Sequence, residues 1–141
     1  MAYDNSWVFD IQDKIYSRLE AVCIAKLSRK YADINVTMDN HKVTNPKFPN
    51  VYIHFLSPVE IGKDLDGADI NAIYLTAQIE VTVTSAQDMT VAIDVSSVVV
   101  DCMKEMRFSS TLPEFVNTDS EYRTVSRFAR TIGNEEELFT V

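Results

Sequence analysis

The chain is poor in glycine: Gly62, Gly67 and Gly133 are all that its 141 residues contain. That excludes a glycine-rich phosphate loop and a dinucleotide fingerprint, both of which need glycines at close fixed spacing. Histidine is as scarce. His41 and His54 stand thirteen positions apart, and neither has a second His or Cys at ligand spacing, so a zinc site is not expected. Basic residues are in deficit too, 13 against 21 acids, for a net charge of −8. The deficit deepens along the chain: residues 1–70 carry ten acids and eight bases, residues 71–141 eleven and five. Phosphate-backbone binding needs clustered Lys and Arg, which this balance argues against. There is no apolar run of membrane-spanning length, and the start MAYDNSWVFD has neither a basic nor an apolar leader region. A cytosolic product without a membrane segment is expected. Cys23 and Cys102, the two cysteines, fall within helical patterns and are read as buried reduced thiols.

Carboxylates are plentiful, but they do not converge. Asp64-Leu65-Asp66-Gly67-Ala68-Asp69 has the look of a calcium loop. In an EF-hand the glycine stands sixth and a bidentate Glu twelfth. Counting from Asp64, glycine is fourth here and the twelfth position is Leu75, so an acidic hairpin is the reading. A nucleophile elbow is missing as well. No catalytic, cofactor-binding or metal-binding residue is assigned.

What is present is a long alternation. Ile73, Leu75, Ala77, Ile79, Val81 and Val83 fall on one side of a period-two pattern, and Tyr74, Thr76, Gln78, Glu80, Thr82 and Thr84 on the other. Side chains alternate faces along an extended chain, so one face meets a core and the other stays polar. Twelve residues at about 3.3 Å each make a strand of about 40 Å, the full width of a small domain. Tyr74, Gln78, Glu80 and Thr82 are the candidate polar sheet face.

Around this strand the pattern predicts an amphipathic helix from about Ser6 to Tyr31, with Val8, Ile11, Ile15, Leu19, Val22, Cys23 and Leu27 on one side. Asn5 or Ser6 can cap it. Short strands are predicted at 34–38 and 51–56, with Pro58 and the segment around Gly62 to Asp69 as loop. A second helix begins near Ser85, with Met89, Ala92, Ile93, Ser96, Val99, Val100, Met103 and Met106 on one side. Two strands near Phe115 and from Tyr122 to Thr131 close the order. The fold class is α+β: a two-layer sandwich, a mostly antiparallel sheet with two helices packed on one face, in one domain over 1–141. Residues 131–141 are read as a tail, open between short helix and disorder.

Tyr122 to Arg130 holds Arg123, Arg127 and Arg130 and no acid. If extended, it puts Arg123 and Arg127 on one face and Arg130 on the other. Interleaved aromatics and arginines can bind nucleic acid, but three arginines leave a weak footprint on an acidic chain. Pairing with acids is the preferred reading, and Glu135, Glu136 and Glu137 offer a complementary patch. These six residues are the candidate subunit interface.

Several features together resemble the tail terminator, or tail-completion, proteins of tailed bacteriophages. They are the N-terminal amphipathic helix of an acidic chain of this length; Phe48-Pro49 leading into Val51-Tyr52-Ile53-His54; the long strand with Gln78-Ile79-Glu80-Val81; and the following helix of small and apolar residues. The closing segment adds Asn117-Thr118-Asp119, Tyr122-Arg123 and Arg127-Phe128. The resemblance implies a structural virion protein, not an enzyme, without a cofactor. Such proteins assemble with themselves into a ring, commonly a hexamer, that ends tail-tube growth and joins the tail to the head connector. Its partners would be the tail-tube protein and neck proteins, with DNA sliding through the lumen without specific binding. The expected location is the virion neck, after assembly in the host cytoplasm. Head-completion and stopper proteins share much of the pattern and are the alternative, ahead of a small-molecule binding domain.

Overall fold

A computed structural model describes residues 6–38, 48–63, 70–84, 89–116 and 121–133. Its elements are α1 (Trp7–Leu27), β1 (Asn35–Thr37), β2 (Asn50–Phe55), β3 (Val59–Lys63), β4 (Ile70–Thr84), α2 (Met89–Glu105), β5 (Ser109–Phe115) and β6 (Glu121–Gly133). The fold is α+β, as the alternation and the two apolar helical stripes predict. Among the described residues six strands form one mixed, mostly antiparallel sheet in the order β1-β2-β4-β6-β5, with β3 also paired to β4.

The long strand is the axis. Along one side β4 pairs with β6 from Ala72↔Gly133 to Thr84↔Glu121. Its other side is shared end to end by β2, from Asn50↔Thr82 to Phe55↔Ala77, and β3, from Val59↔Tyr74 to Lys63↔Ile70. Between Phe55↔Ala77 and Val59↔Tyr74 the outer chain advances four residues while β4 retreats three. β2 and β3 are thus one strand with a single extra residue at the break, where Pro58 cannot donate to the ladder. The sequence pattern placed this region in a loop. The structure corrects that: Val59-Glu60-Ile61 resumes pairing immediately after the proline.

β1 supplies the parallel exception in this mostly antiparallel sheet: it runs parallel to β2, with Asn35↔Asn50 and Thr37↔Tyr52. Residues 38–49 between them make a connection of about a dozen residues, enough for a parallel return. Helix α1 ends at Leu27 rather than near Tyr31, and β6 runs on past Thr131 to Gly133. Ser6 accepts the first amide bonds of α1 through its carbonyl, from Phe9 and Asp10 at 3.0 Å each, and its side chain makes no capping bond.

The core lies between the helices and one face of the sheet. From α1 come Val8, Ile11, Ile15, Leu19, Cys23 and Leu27, spaced three or four apart, and from β4 Ile73, Leu75, Ala77, Ile79, Val81 and Val83. Val22, placed on the apolar stripe of α1, is half-buried at its flank. The buried side of α2 is Ala92, Val95, Ser96, Val99, Cys102 and Met103. Burial of Val99 and its neighbours outweighs the poor helix propensity of Val98-Val99-Val100. Ile93 does not join the core as its place in the stripe suggested; it is 49 % exposed. The stripe centres on Ala92, Val95 and Val99, which turns Ile93 to the flank of the helix.

Two ties lock the helices antiparallel. Asp94 Oδ2 accepts from Tyr31 Oη at 2.8 Å and from Lys30 Nζ at 3.0 Å, and Arg18 meets Glu105 at 3.7 Å. These bonds hold the Asp94 carboxyl below its ordinary range, Lys30 contributing most and Tyr31 next. Tyr16 braces α1 against β1: its Oη proton is shared between Glu20 Oε2 at 2.7 Å and the Val36 carbonyl at 2.9 Å. Burial first, then the bond and charge of Glu20, push its hydroxyl up to about 12. The end of α2 is closed by two bonds, Phe108 N to Met103 O at 3.1 Å and Arg107 N to Lys104 O at 2.9 Å. This is a Schellman turn, with Arg107 at φ 67° where glycine is the usual occupant.

Candidate functional site

The arginine strand separates its charges as alternation requires. Arg123 and Arg127 stand on the sheet face that no helix covers, and Arg130 on the helix side. Arg130 Nη1 donates to the Met106 carbonyl at 2.6 Å and its guanidinium lies 6.0 Å from the Phe108 ring. It thus satisfies a carbonyl left open where α2 ends. Arg127 is held at a crossing of three strands: Nε donates to Gln78 Oε1 at 3.3 Å, and its backbone N–H donates to Thr111 Oγ1 at 3.1 Å. Arg123 meets Glu121 at 3.6 Å, two positions back on the same face. With both side chains about a third exposed, that pair is worth at most about 1 kcal/mol. Its Nε is buried and has no hydrogen-bond partner among the described residues. Glu135, Glu136 and Glu137 lie outside the described residues, as do His41, Asn117 to Asp119 and the Asp64 to Asp69 loop.

Tyr74, Gln78, Glu80 and Thr82 fall on the open face, Tyr74 exposed and the other three half-buried. Rows across the strands read His54-Gln78-Arg127 and Tyr52-Glu80-Val125. The face is therefore a charged and amide-bearing surface at its middle. Among the described residues there is no group of three or more His, Cys, Asp or Glu that could hold a metal ion. Cys23 and Cys102 are free and buried; burial raises the Cys23 thiol to about 12 and that of Cys102 to about 11.

More conspicuous is where exposed apolar side chains collect, which the sequence pattern did not reveal. One cluster is Leu56, Val59, Ile61 and Tyr74, 39–59 % exposed, on the arm formed by β3 and the start of β4. The other is Ile93, Phe115 and Val116, 40–53 % exposed, at the far edge of the sheet. Together they account for seven of the ten large apolar side chains exposed among the described residues, and within those residues the exposure is concentrated at two opposite edges. At the far edge, Ile93, Ser97, Val100, Asp101, Pro113 and Phe115 line a groove of about 310 Å³ between α2 and β5. Its floor holds Ser96 and Thr124, whose hydroxyls bond to each other and so satisfy a buried polar pair. Pro113 in the groove wall belongs to an interruption of β5. From Thr111 to Glu114 it advances three residues while β6 retreats two, with Pro113 inside the irregularity. The sequence held a signal for the arm, the alternation Val59-Glu60-Ile61 after Pro58, but three residues are too few to outvote a proline and a glycine.

No protein-family model matches the chain, and no curated protein sequence matches it. A solved structure whose name carries no functional description is similar in fold, with a TM-score of 0.57. The match covers 90 % of this chain and 95 % of that one, at 16 % identity. That likeness extends to the fold alone.

Proposed function

We propose that this chain is a structural subunit of a tailed-phage virion, forming a ring at the head-proximal end of the tail that ends tube growth and joins the tail to the head connector. The observation that carries this reading is the concentration of exposed apolar side chains at two opposite edges of one sheet. A monomer gains nothing from such exposure, whereas a subunit with two neighbours buries both edges. The phage tail-terminator resemblance of the sequence supplies the setting. The net charge of −8 agrees with a lumen past which DNA slides without sticking.

The test has two parts. Native mass spectrometry of the purified chain is expected to give a closed ring of six. Added in small amounts to polymerising tail-tube protein from the same phage, that ring is expected to shorten the tubes and to be seen at one end by electron microscopy. Tubes of unchanged length and bare ends would defeat the terminator role. Binding to the head connector in place of the tube would assign the chain to a head-side neck component.

A further inference from the structure

We propose that Cys23 and Cys102 are a latent disulfide pair: they stay reduced while the helix layer is closed, and a small disulfide oxidant that reaches them during an opening joins α1 to α2. This concerns the helix layer alone and holds whether or not the subunits form a ring. Its basis is the register of the two helices. Arg18 of α1 meets Glu105 of α2 at 3.7 Å, and Lys30 meets Asp94 at 3.0 Å. Cys23 lies five residues after Arg18, and Cys102 three before Glu105. Counted from the other tie, Cys23 lies seven residues before Lys30 and Cys102 eight after Asp94. At the helical rise, both counts place the two cysteines within about 3 Å of the same height.

Both thiols also face inward. Cys23 is 0 % and Cys102 1 % exposed, and they belong to one core cluster. Burial is the main cause that raises the Cys23 thiol, and the neighbouring Cys102 raises it further. On Cys102, after burial, act the charges of Arg18, Glu105 and Lys26. Arg18 and Lys26 flank Cys23 on α1, so Cys102 stands beside that same stretch of the helix. Packed helix axes about 8–10 Å apart, with Cα atoms about 2.3 Å from each axis, leave about 3.5–5.5 Å between directly facing Cα atoms and more between oblique ones. A disulfide spans about 4.4–6.8 Å between Cα atoms, so oblique neighbours at one height fall within its range.

The chemistry is thiol–disulfide exchange with a small disulfide, RSSR, of the oxidised glutathione class. One cysteine thiolate attacks a sulfur of RSSR, forming a mixed disulfide as RS⁻ leaves and takes up a proton. The second cysteine thiolate then attacks the protein sulfur of that mixed disulfide and expels the other RS⁻, which is protonated in turn. The two cysteines lose two electrons and two protons, and RSSR becomes two RSH. In the closed fold the thiols hold their protons and are shielded, so exchange waits for an opening. On reclosing, a close-packed interface has no room for a retained RS group, and the second cysteine displaces it.

The test is to equilibrate the full chain with reduced and oxidised glutathione at pH 8, both in urea that unfolds it and after dilution into buffer. Intact mass and peptide mapping read the bridged fraction. Relative to urea, the bridge is expected to be favoured at least about tenfold in buffer, because a bond that the fold accommodates is stabilised by the fold as much as it stabilises the fold. The bridged chain should keep the wild-type circular dichroism spectrum and melt at a higher temperature than the reduced one. Any smaller ratio would overturn the proposal, since the fold would then hold the thiols apart. A folded product that is a glutathione adduct or a disulfide-linked dimer would overturn it as well.

Discussion

Truncation of Ile79 should be among the most damaging single changes in the protein, while Thr82→Ala, three residues along the same strand, should be mild. Ile79 is 1 % exposed and sits opposite Ile53 and Ser126, both buried, in the middle of β4. Ile→Ala removes three carbons. At about 0.8 kcal/mol per buried CH₂ the lost transfer free energy is roughly 2.4 kcal/mol. A residual cavity on the order of 40 Å³ adds about 1 kcal/mol, because helices above and paired strands on both sides limit collapse. The expected loss is therefore about 3–4 kcal/mol. Thr82 lies on the open face between Asn50 and Arg123, half-buried. Its replacement by Ala loses only strand propensity and some cross-strand contact, at most about 1 kcal/mol. Urea denaturation followed by circular dichroism measures both, at concentrations where each variant is a single species. With an ordinary slope, the Ile79→Ala midpoint should fall by about 1–3 M relative to wild type. Equal midpoint shifts for the two variants would refute the assignment of faces on β4, and with it the placement of the core.

Arg107→Gly should raise stability by about 0.5–1 kcal/mol, because glycine takes the left-handed conformation of the α2 turn without the Cβ conflict; a loss in a thermal melt would show that the arginine side chain matters more than its backbone. Asp94 ionises more readily folded than unfolded, so its contribution is present above the unfolded carboxyl value of 3.8 and lost as pH falls through the lower folded value. Asp94→Asn should therefore be less stable at neutral pH and flatter in its acid limb, and parallel acid limbs would remove Asp94 from the account. Cys23 and Cys102, with thiols raised to about 12 and 11, should stay unlabelled by a thiol reagent at pH 8 until urea unfolds the chain. Prompt labelling of the native protein would show that the helix interface opens.

Elements with many repeats of one period were legible. The twelve alternating positions of β4 and the helical stripe of α1 gave the layers, the axis of the sheet and most of the core. What failed was local. Pro58 and Gly62 signal a loop, and only pairing to β4 overrides them, a long-range effect that a window of five residues does not contain. The stripe read on α2 included Ile93 and left out Val95, whereas the buried side centres on Ala92, Val95 and Val99 and leaves Ile93 at its flank. Strand parity already set Arg130 apart from Arg123 and Arg127, but grouping it with them as interface missed that its face is the helix side, where it closes the end of α2. Edge surfaces of the kind proposed for assembly are the hardest to read. An exposed valine in an arm and a buried one in a core are the same letter.

The two strands of the arm also differ in how they are retained. From Ala72 to Tyr74, β4 is bonded to β3 on one side and to β6 on the other, whereas β3 has β4 as its only strand neighbour among the described residues. Opening of β3 therefore breaks one ladder, while release of β4 at the same height breaks two and disturbs the sheet. Local openings of this kind are the low-energy excursions of a native protein. In hydrogen exchange the amides of β3 would be the early leavers and those of inner β4 the late ones. The outer strand can thus open while the inner strand keeps its place in the sheet.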